Sequence, residues 1–290
     1  MICKNIQTEK RDLVLSKACE LLCMTRHAYQ SWLAPKPVKE DPLLAPVLAI
    51  KKDRDCRRYG YRRVTKELHR RGTPANHNKV LETMRKNGLI VKRKAFRVCT
   101  TNSNHSYPVY PNRIRGLKVL TLNHVWAGDI TYIRFANGQT AYLATLLDLC
   151  SRKALGWQLS RNIDTQLCLD AFQMAIADRK GYNLEGVIHH SDQGSQYAAN
   201  EYVTEVESYG MLMSMSRRGN PYDNAYVESF NKTVKYEEVY MDEYASFEDA
   251  YQNIKHFIEE VYNKKRLHSS IGYIPPLEFE QQYKLKEVVA

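Results

Sequence analysis

Near His124 the spacing of apolar residues changes from helical to strand-like, and this switch constrains the fold more than any other feature of the 290-residue chain. Trp126–Phe135 and Thr140–Leu149 are β-rich runs, and Ala136-Asn-Gly138 between them carries the Asn-Gly step that tight hairpins favour. Lys153–Leu159 supplies a third strand. A helix is expected over Asp164–Lys180, a short apolar strand over Gly186–His189, a helix near Ala198–Tyr209 and a strand near Met211–Met215. Helices from about Tyr222 to Tyr240 and over Phe247–Asn263 follow. Three antiparallel strands, then alternating helices and strands, predict an α/β fold: a mixed five-stranded sheet with flanking helices on both faces.

The part before the switch reads as helices. Leu15–Trp32 has apolar residues at roughly helical spacing, and Pro35 and Pro37 stop it. A second helical group runs from about Leu43 to Asn87. It ends in two short amphipathic segments, Arg62–Arg71 and His77–Asn87, joined by Gly72-Thr-Pro-Ala-Asn76. Asn76 is the expected cap of the second segment and Gly88 its stop. Two short helices, a tight turn and many cations fit a helix-turn-helix-type DNA-binding region, although many small helical domains contain such turns. Arg62, Arg63, Lys79, Arg85 and Lys86 are its candidate DNA contacts, the alternative being a solvated face. The expected domains are a helical basic region at 1–91, a basic linker at 92–120, the sheet domain at 121–282 and a C-terminal tail at 283–290. The element order of 121–282 is that of a ribonuclease H-like fold.

Charge divides the chain in the same place. Residues 1–120 hold 27 Lys+Arg against 9 Asp+Glu, and residues 121–290 hold 16 against 23. A basic front on a mildly acidic back suggests a polyanion-binding module joined to something else. The interrupted stretch 92–118, with Lys92-Arg-Lys94, Pro108 and Pro111, reads as an extended segment able to track a phosphate backbone. The seven cysteines are scattered. Cys19, Cys23 and His27 have no second ligand pair at a usable spacing, which argues against a zinc site. Reduced thiols are expected, with Cys150 and Cys168 as core fillers. No run approaches 18 apolar residues and no apolar signal core opens the chain, which argues against a membrane span and against secretion.

Three carboxylates carry the chemistry. Asp129 lies mid-strand in Trp126-Ala-Gly-Asp-Ile-Thr131, Asp192 follows a short strand in His189-His-Ser-Asp-Gln-Gly-Ser-Gln-Tyr197, and Glu228 lies on a helix in Asn220–Asn231. In the expected sheet the two aspartates come side by side, and a nearby helix brings Glu228. Hard divalent cations take oxygen ligands, and two of them about 3.5–4 Å apart can act on both oxygens of a phosphoryl transfer. Like charges about 4 Å apart repel by roughly 4 kcal/mol at an effective dielectric near 20, so a fold keeps such a group only with a cation or a proton to relieve it.

Several strings give these acids a context: Tyr59-Gly-Tyr-Arg-Arg-Val64, Asn87-Gly-Leu89, Leu147-Asp-Leu-Cys-Ser-Arg152, His190–Tyr197, Arg218–Phe230 and Tyr262-Asn-Lys-Lys-Arg-Leu-His268. From about Gly60 to Phe279 the chain resembles the insertion-sequence transposases of the IS-three family, part of the DDE group that includes retroviral integrases. Thirty-five residues separate Asp192 from Glu228, the spacing of that group. The resemblance implies Asp129, Asp192 and Glu228 as catalytic residues and ligands of two Mg²⁺ ions, with Mn²⁺ as a substitute. It implies exposure of a DNA 3′-hydroxyl at the element's ends and its in-line attack on target DNA, without a covalent protein–DNA intermediate. It also implies a homo-oligomer on DNA and a downstream-frame product, often fused by frameshifting to an upstream helix-turn-helix protein. The place of action it implies is the bacterial cytoplasm, at the nucleoid.

Lys232 and Lys235 follow Glu228 by four and seven residues on one helical face. In related integrases lysines at these offsets contact terminal DNA; the alternative is a solvated pair. Asp148 is expected to pair with Arg152, and His189 and His190 to pack or hydrogen-bond, since histidine suits softer metals than Mg²⁺. Asn224 is expected to orient Glu228, to touch DNA, or to lie on the surface. Trp126 and Tyr132 are expected in the core. For Arg266 and His268, DNA contact and fold support are equally open. Two other functions compete: a nuclease of this fold that only hydrolyses, and a DNA-binding regulator with an inactive core. The basic front argues against the first and the intact acids against the second.

Overall fold

The computed structural model describes residues 19–20, 23–33, 41–91, 107–135, 138–217, 224–241 and 244–289. The chain divides into two compact units, 1–42 and 43–290. In the first, helix α1 (Arg26–Leu33) is separate from the helical residues Cys19 and Glu20. The continuous helix expected over 15–32 is interrupted because Cys23 adopts a left-handed backbone (φ 51°) and Met24 N–H bonds back to the Cys19 carbonyl at 3.0 Å. Thr25 Oγ1 then caps the new helix by accepting from Ala28 N–H at 3.1 Å.

The second unit opens with α2 (Leu44–Lys52), α3 (Tyr61–Arg70) and α4 (His77–Lys86). The last two match the expected pair to within a residue. Asn76 accepts from Asn78 N–H at 2.8 Å as the cap of α4, and Gly88 ends that helix in a left-handed conformation (φ 66°). Val47, Ile50, Tyr59, Val64, Leu68, Val80 and Met84 form a small core, and it is completed from far along the chain by Leu267. The compact division therefore falls at 42/43 and not after residue 91.

The sheet comprises β1 (Val125–Arg134), β2 (Thr140–Asp148), β3 (Ala154–Ser160), β4 (Ile188–Ser191) and β5 (Leu212–Met215), in the order β3-β2-β1-β4-β5. The first three strands are antiparallel, while β4 and β5 run parallel to β1. This is the mixed five-stranded, ribonuclease H-like sheet the sequence predicts. Of the hairpin step, residues 136–137 lie outside the described residues, and Gly138 has φ 82°.

Helices cover both faces. One face carries α5 (Thr165–Asp178), capped by Asp164, the single turn α6 (Ser195–Ala198) and α7 (Asn200–Ser208). The other carries α8 (Ala225–Val234), which runs on as a π-helix over Lys235–Val239, and α9 (Phe247–His256), which runs on as a π-helix over Phe257–Tyr262. The expected tail at 283–290 is instead the end of helix α10 (Pro276–Val289), as far as residue 289.

The described half of the expected linker is packed against the sheet domain. Arg113 donates to the Met213 carbonyl from its side chain (3.1 Å) and to Ser214 Oγ from its amide (3.0 Å), both on the edge strand β5. Tyr110, Ile114 and Val119 rest on the two sheet cores. Residues 92–106, the most basic part of that segment, lie outside the described residues.

Candidate active site

Alternation along β1 sends Val125, Ala127, Asp129 and Ile133 to one face, where the three apolar members pack with Val227, Phe230 and Val234 of α8. Ala127 pairs with His190 of the parallel strand β4, so Asp129, two residues on, stands level with Asp192. The turn after β4 is fixed locally. Gly194 N–H donates to Asp192 Oδ1 at 2.9 Å, and Gln193 donates to the Ser216 carbonyl at 3.1 Å. A Cβ on Gly194 would stand 3.0 Å from that same Asp192 oxygen. On the opposite face of β1, Gly128 lets Tyr197 approach; a Cβ there would meet its ring and hydroxyl at 3.3 Å.

Asp129 keeps part of its surface open yet sits deep among protein atoms. Burial lifts its carboxyl to about 7, the charge of Asp192 adds to the lift, Asn231 and the Ile130 amide oppose it, and Glu228 contributes a smaller push. Asn231 of α8 donates to Asp129 Oδ2 at 2.7 Å, and Asn224, at the start of α8, donates to the Gly128 carbonyl at 3.3 Å. Thr145 is the cross-strand neighbour of Asp129. Thr145 Oγ1, Asn224 Oδ1 and Asn231 Oδ1 are buried without a hydrogen-bond partner among the described residues. Three orphaned oxygens around a like-charge pair are costly unless something with positive charge or donor hydrogens meets them.

Glu228 is exposed on the same helix, and burial raises its carboxyl while Lys232 opposes the rise. Its charge reaches Asp129, but among the described residues no three Asp, Glu, His or Cys side chains stand together as a ready metal-ligand group. The aspartates are a pair, with Glu228 at the rim. The two lysines part company in the same way. Lys232 is exposed and faces Glu228, whereas Lys235 is half-buried, with its ammonium lowered by burial and supported by Asp129.

Other expectations resolve differently. Asp148 does not pair with Arg152. It accepts from the amides of Asn123 (2.7 Å), Cys150 (2.7 Å) and Ser151 (2.9 Å), with Arg179 at 4.0 Å. Arg152 has a left-handed backbone (φ 64°), and its guanidinium lies 3.9 Å from the centre of the Tyr226 ring. Arg266 and His268 support the fold. Arg266 is buried and bonds both Glu237 oxygens at 2.8 Å, and Arg63 reaches the same carboxylate at 2.9 Å. Arg63 is thereby held in an ion pair within the fold, its side chain only partly exposed. Arg62, Lys79, Arg85 and Lys86 remain exposed, Lys86 in a surface pair with Glu82.

His189 and His190 are buried hydrogen-bonding residues as expected: His189 meets the Tyr202 hydroxyl at 2.8 Å and His190 meets Ser214 at 2.9 Å. Burial drives the His189 imidazole down to about 3, so it stays neutral. Trp126 is fully buried, Tyr132 only half-buried, its ring edge-on to Tyr142 at 5.1 Å. Cys150 and Cys168 are buried free thiols. Residues 218–223, part of the motif before Glu228, lie outside the described residues. Sequence reasoning missed Asn231 and Thr145. Asn231 was within reach, since a residue three positions after Glu228 shares its helical neighbourhood.

Comparison with known proteins agrees with this geometry. The family described as "Integrase core domain" matches residues 121–221, a second of the same description matches 209–276, and "HTH-like domain" matches 39–96. The chain is 40% identical to the transposase for insertion sequence element IS904 of Lactococcus lactis, over 77% of this chain and 88% of that protein. It is 32% identical to transposase InsF for insertion sequence IS3A of Escherichia coli, over 96% of this chain and 97% of that protein. The HTLV-2 integrase catalytic core domain in complex with magnesium is 16% identical, with a TM-score of 0.43 over 56% of this chain and 99% of that one. The identities along nearly the whole length, on a chain that brings Asp129 level with Asp192, make it a member of the IS3 family of insertion-sequence transposases, polynucleotidyl transferases of the DDE type.

Proposed function

We propose that this protein cleaves DNA at the ends of an insertion sequence and joins the freed 3′-hydroxyl to target DNA, using Asp129, Asp192 and Glu228. The observation that carries the reading is the level placement of Asp129 and Asp192, with the Asp129 carboxyl lifted to about 7 amid orphaned oxygens. An all-oxygen donor set with unrelieved negative charge fits a hard divalent cation, Mg²⁺ with Mn²⁺ as substitute, and fits softer metals poorly. When bound, a pair of such ions supplies Lewis-acid activation of the attacking and leaving oxygens at phosphorus.

The chain's own residues do the rest. Asp129 and Asp192 offer carboxylate oxygens side by side, and Glu228 adds a third carboxylate from the rim. Asn231 fixes the rotamer of Asp129 through its 2.7 Å bond. Lys235 and Lys232 bring positive charge beside the two acids, where phosphates next to the scissile one pass. Arg62, Lys79, Arg85 and Lys86 grip flanking phosphates without reading sequence. The protein acts as an oligomer at the bacterial nucleoid, with an upstream-frame helix-turn-helix partner contributing to end recognition.

A strand-transfer assay with labelled element ends and Mg²⁺ tests this. Joined product is expected from the wild type, and none from Asp129→Asn, Asp192→Asn or Glu228→Gln. Nicking without joining would favour a hydrolytic nuclease, and undiminished cleavage by any one variant would falsify the assignment of that residue.

A further inference from the structure

A groove of about 620 Å³ separates the start of α3 from the outer face of α8 and its π-helical continuation. One wall carries Arg58, Tyr61 and Arg62; the other carries Ser229, Lys232, Thr233 and Tyr236, with Tyr273 closing one side. We propose that this groove holds an unpaired DNA strand running on from the carboxylates, its bases stacked on Tyr61, Tyr236 and Tyr273 and its phosphates on Arg58, Arg62 and Lys232. The proposal rests on the reading of Asp129 and Asp192 as the cleaving pair, because Lys232 belongs both to the groove and to the Glu228 side of the catalytic helix.

Three observations favour a single strand. The first is charge. Glu237 is the sole carboxylate of the groove's described lining, and it is held by Arg63 and Arg266, so the remaining cations set the sign of the field. The second is surface type. Tyr61, Tyr236 and Tyr273 are half-buried, presenting apolar ring area with a cation beside it: Arg62 lies 5.7 Å from the Tyr61 ring centre and Lys66 lies 5.5 Å from that of Tyr273. Tyrosine interleaved with cations is what sequence-tolerant binding of unpaired bases uses. The third is size and rigidity. Tyr59 donates to the Lys265 carbonyl at 3.3 Å and accepts from Leu267 N–H at 3.2 Å. Together with Arg63 on Glu237, these bonds fix the walls on one another. A fixed cleft within the roughly 300–1,000 Å³ range of small-ligand sites has room for one or two nucleotides.

The test uses the full-length protein in EDTA, so that cleavage is not required. Anisotropy is read with a labelled oligo-dT of about ten nucleotides and with a duplex of equal length. Tyr236→Ala and Tyr61→Ala should each weaken oligo-dT binding about tenfold and duplex binding by no more than about twofold, while Tyr236→Phe retains both. Equal urea midpoints for the three variants confirm that the walls stay in place. Wild-type binding of oligo-dT by both alanine variants overturns the proposal, as does equal loss of oligo-dT and duplex. If instead oligo-dT binding follows the expected pattern but the wild type makes no cut in Mg²⁺, the cleavage reading fails and the groove stands.

Discussion

Two aspartates in the same sheet differ in how their charge is met. Asp148, at the end of β2, is buried, and burial raises its carboxyl, but amide hydrogens from Ser151 and Asn123 and the charge of Arg179 work against the rise. Around it Arg179 binds both Glu280 oxygens and Asp178, Lys153 bonds Asp178 at 2.7 Å, and Ser151 donates to Glu280 at 2.8 Å. Every acid there has a cation or a donor. At Asp129 burial is opposed chiefly by one asparagine, and the charge of a second aspartate adds to the rise. The first corner spends its charges on holding α10 against the sheet. The second is left short of positive charge, which is the state a site for a cationic ligand must be in before the ligand arrives.

The contrast can be broken at its strong end first. Arg179→Met leaves Asp148, Asp178 and Glu280 without their shared cation. It should cost about 3–5 kcal/mol of unfolding free energy, as expected for removing one partner of a buried ionic group. Urea unfolding with a midpoint near wild type would mean that the Asp148 corner is no more satisfied than the Asp129 one.

Asp129→Asn should act in the opposite direction. Its carboxyl moves from the ordinary 3.8 to about 7 on folding. Between those pH values the unfolded chain gives up the proton first, so the wild type loses stability as pH rises across that window. The asparagine variant escapes this loss. In EDTA it should match wild type near pH 4 and exceed it by roughly 2–4 kcal/mol above pH 7, at 1.36 kcal/mol per unit with a discount for the open side of the site. A stability difference independent of pH would contradict the picture of a strained carboxylate.

Gly194→Ala presses a methyl against Asp192 Oδ1 at 3.0 Å. Overpacking of this kind costs about 1 kcal/mol of stability, and displacement of the acid should lower cleavage more than it lowers the melting temperature. Equal and small effects on both would show that the loop yields freely. The smallest effects on stability belong to the lysines. Lys235→Ala and Lys232→Ala should raise the DNA concentration for half-maximal cleavage, the first more than the second because Lys235 lies by Asp129. Lys284→Ala, over the Tyr182 ring on α10, should leave it unchanged, and parity among the three would break the proposed rim.

Much of this was legible in the sequence, for a physical reason. Strand alternation and helical periodicity are local signals, so the five strands are legible by counting, and the expected fold then sets the strands of Asp129 and Asp192 side by side. What escaped was lateral apposition between distant segments. Nothing near Arg63 in sequence announces Glu237, and nothing near Asp148 announces Arg179, so the ion pair of the first escapes a local reading and the second is assigned the wrong partner. Arg152 misled because its left-handed backbone carries the side chain away from the neighbour that sequence proximity suggested. The linker misled because its prolines and basic charge hid three apolar residues that dock on the sheet.

Leu267 bears on how such proteins can be recombined. It sits in the small helical core made by residues 47–84, although it is joined in sequence to the last strap of the sheet domain. Exchanging residues 43–91 alone between relatives would hand the incoming helices a foreign plug. A graft that carries residues 262–274 along with 43–91 keeps lock and key together, and is the unit in which this helical region should be moved.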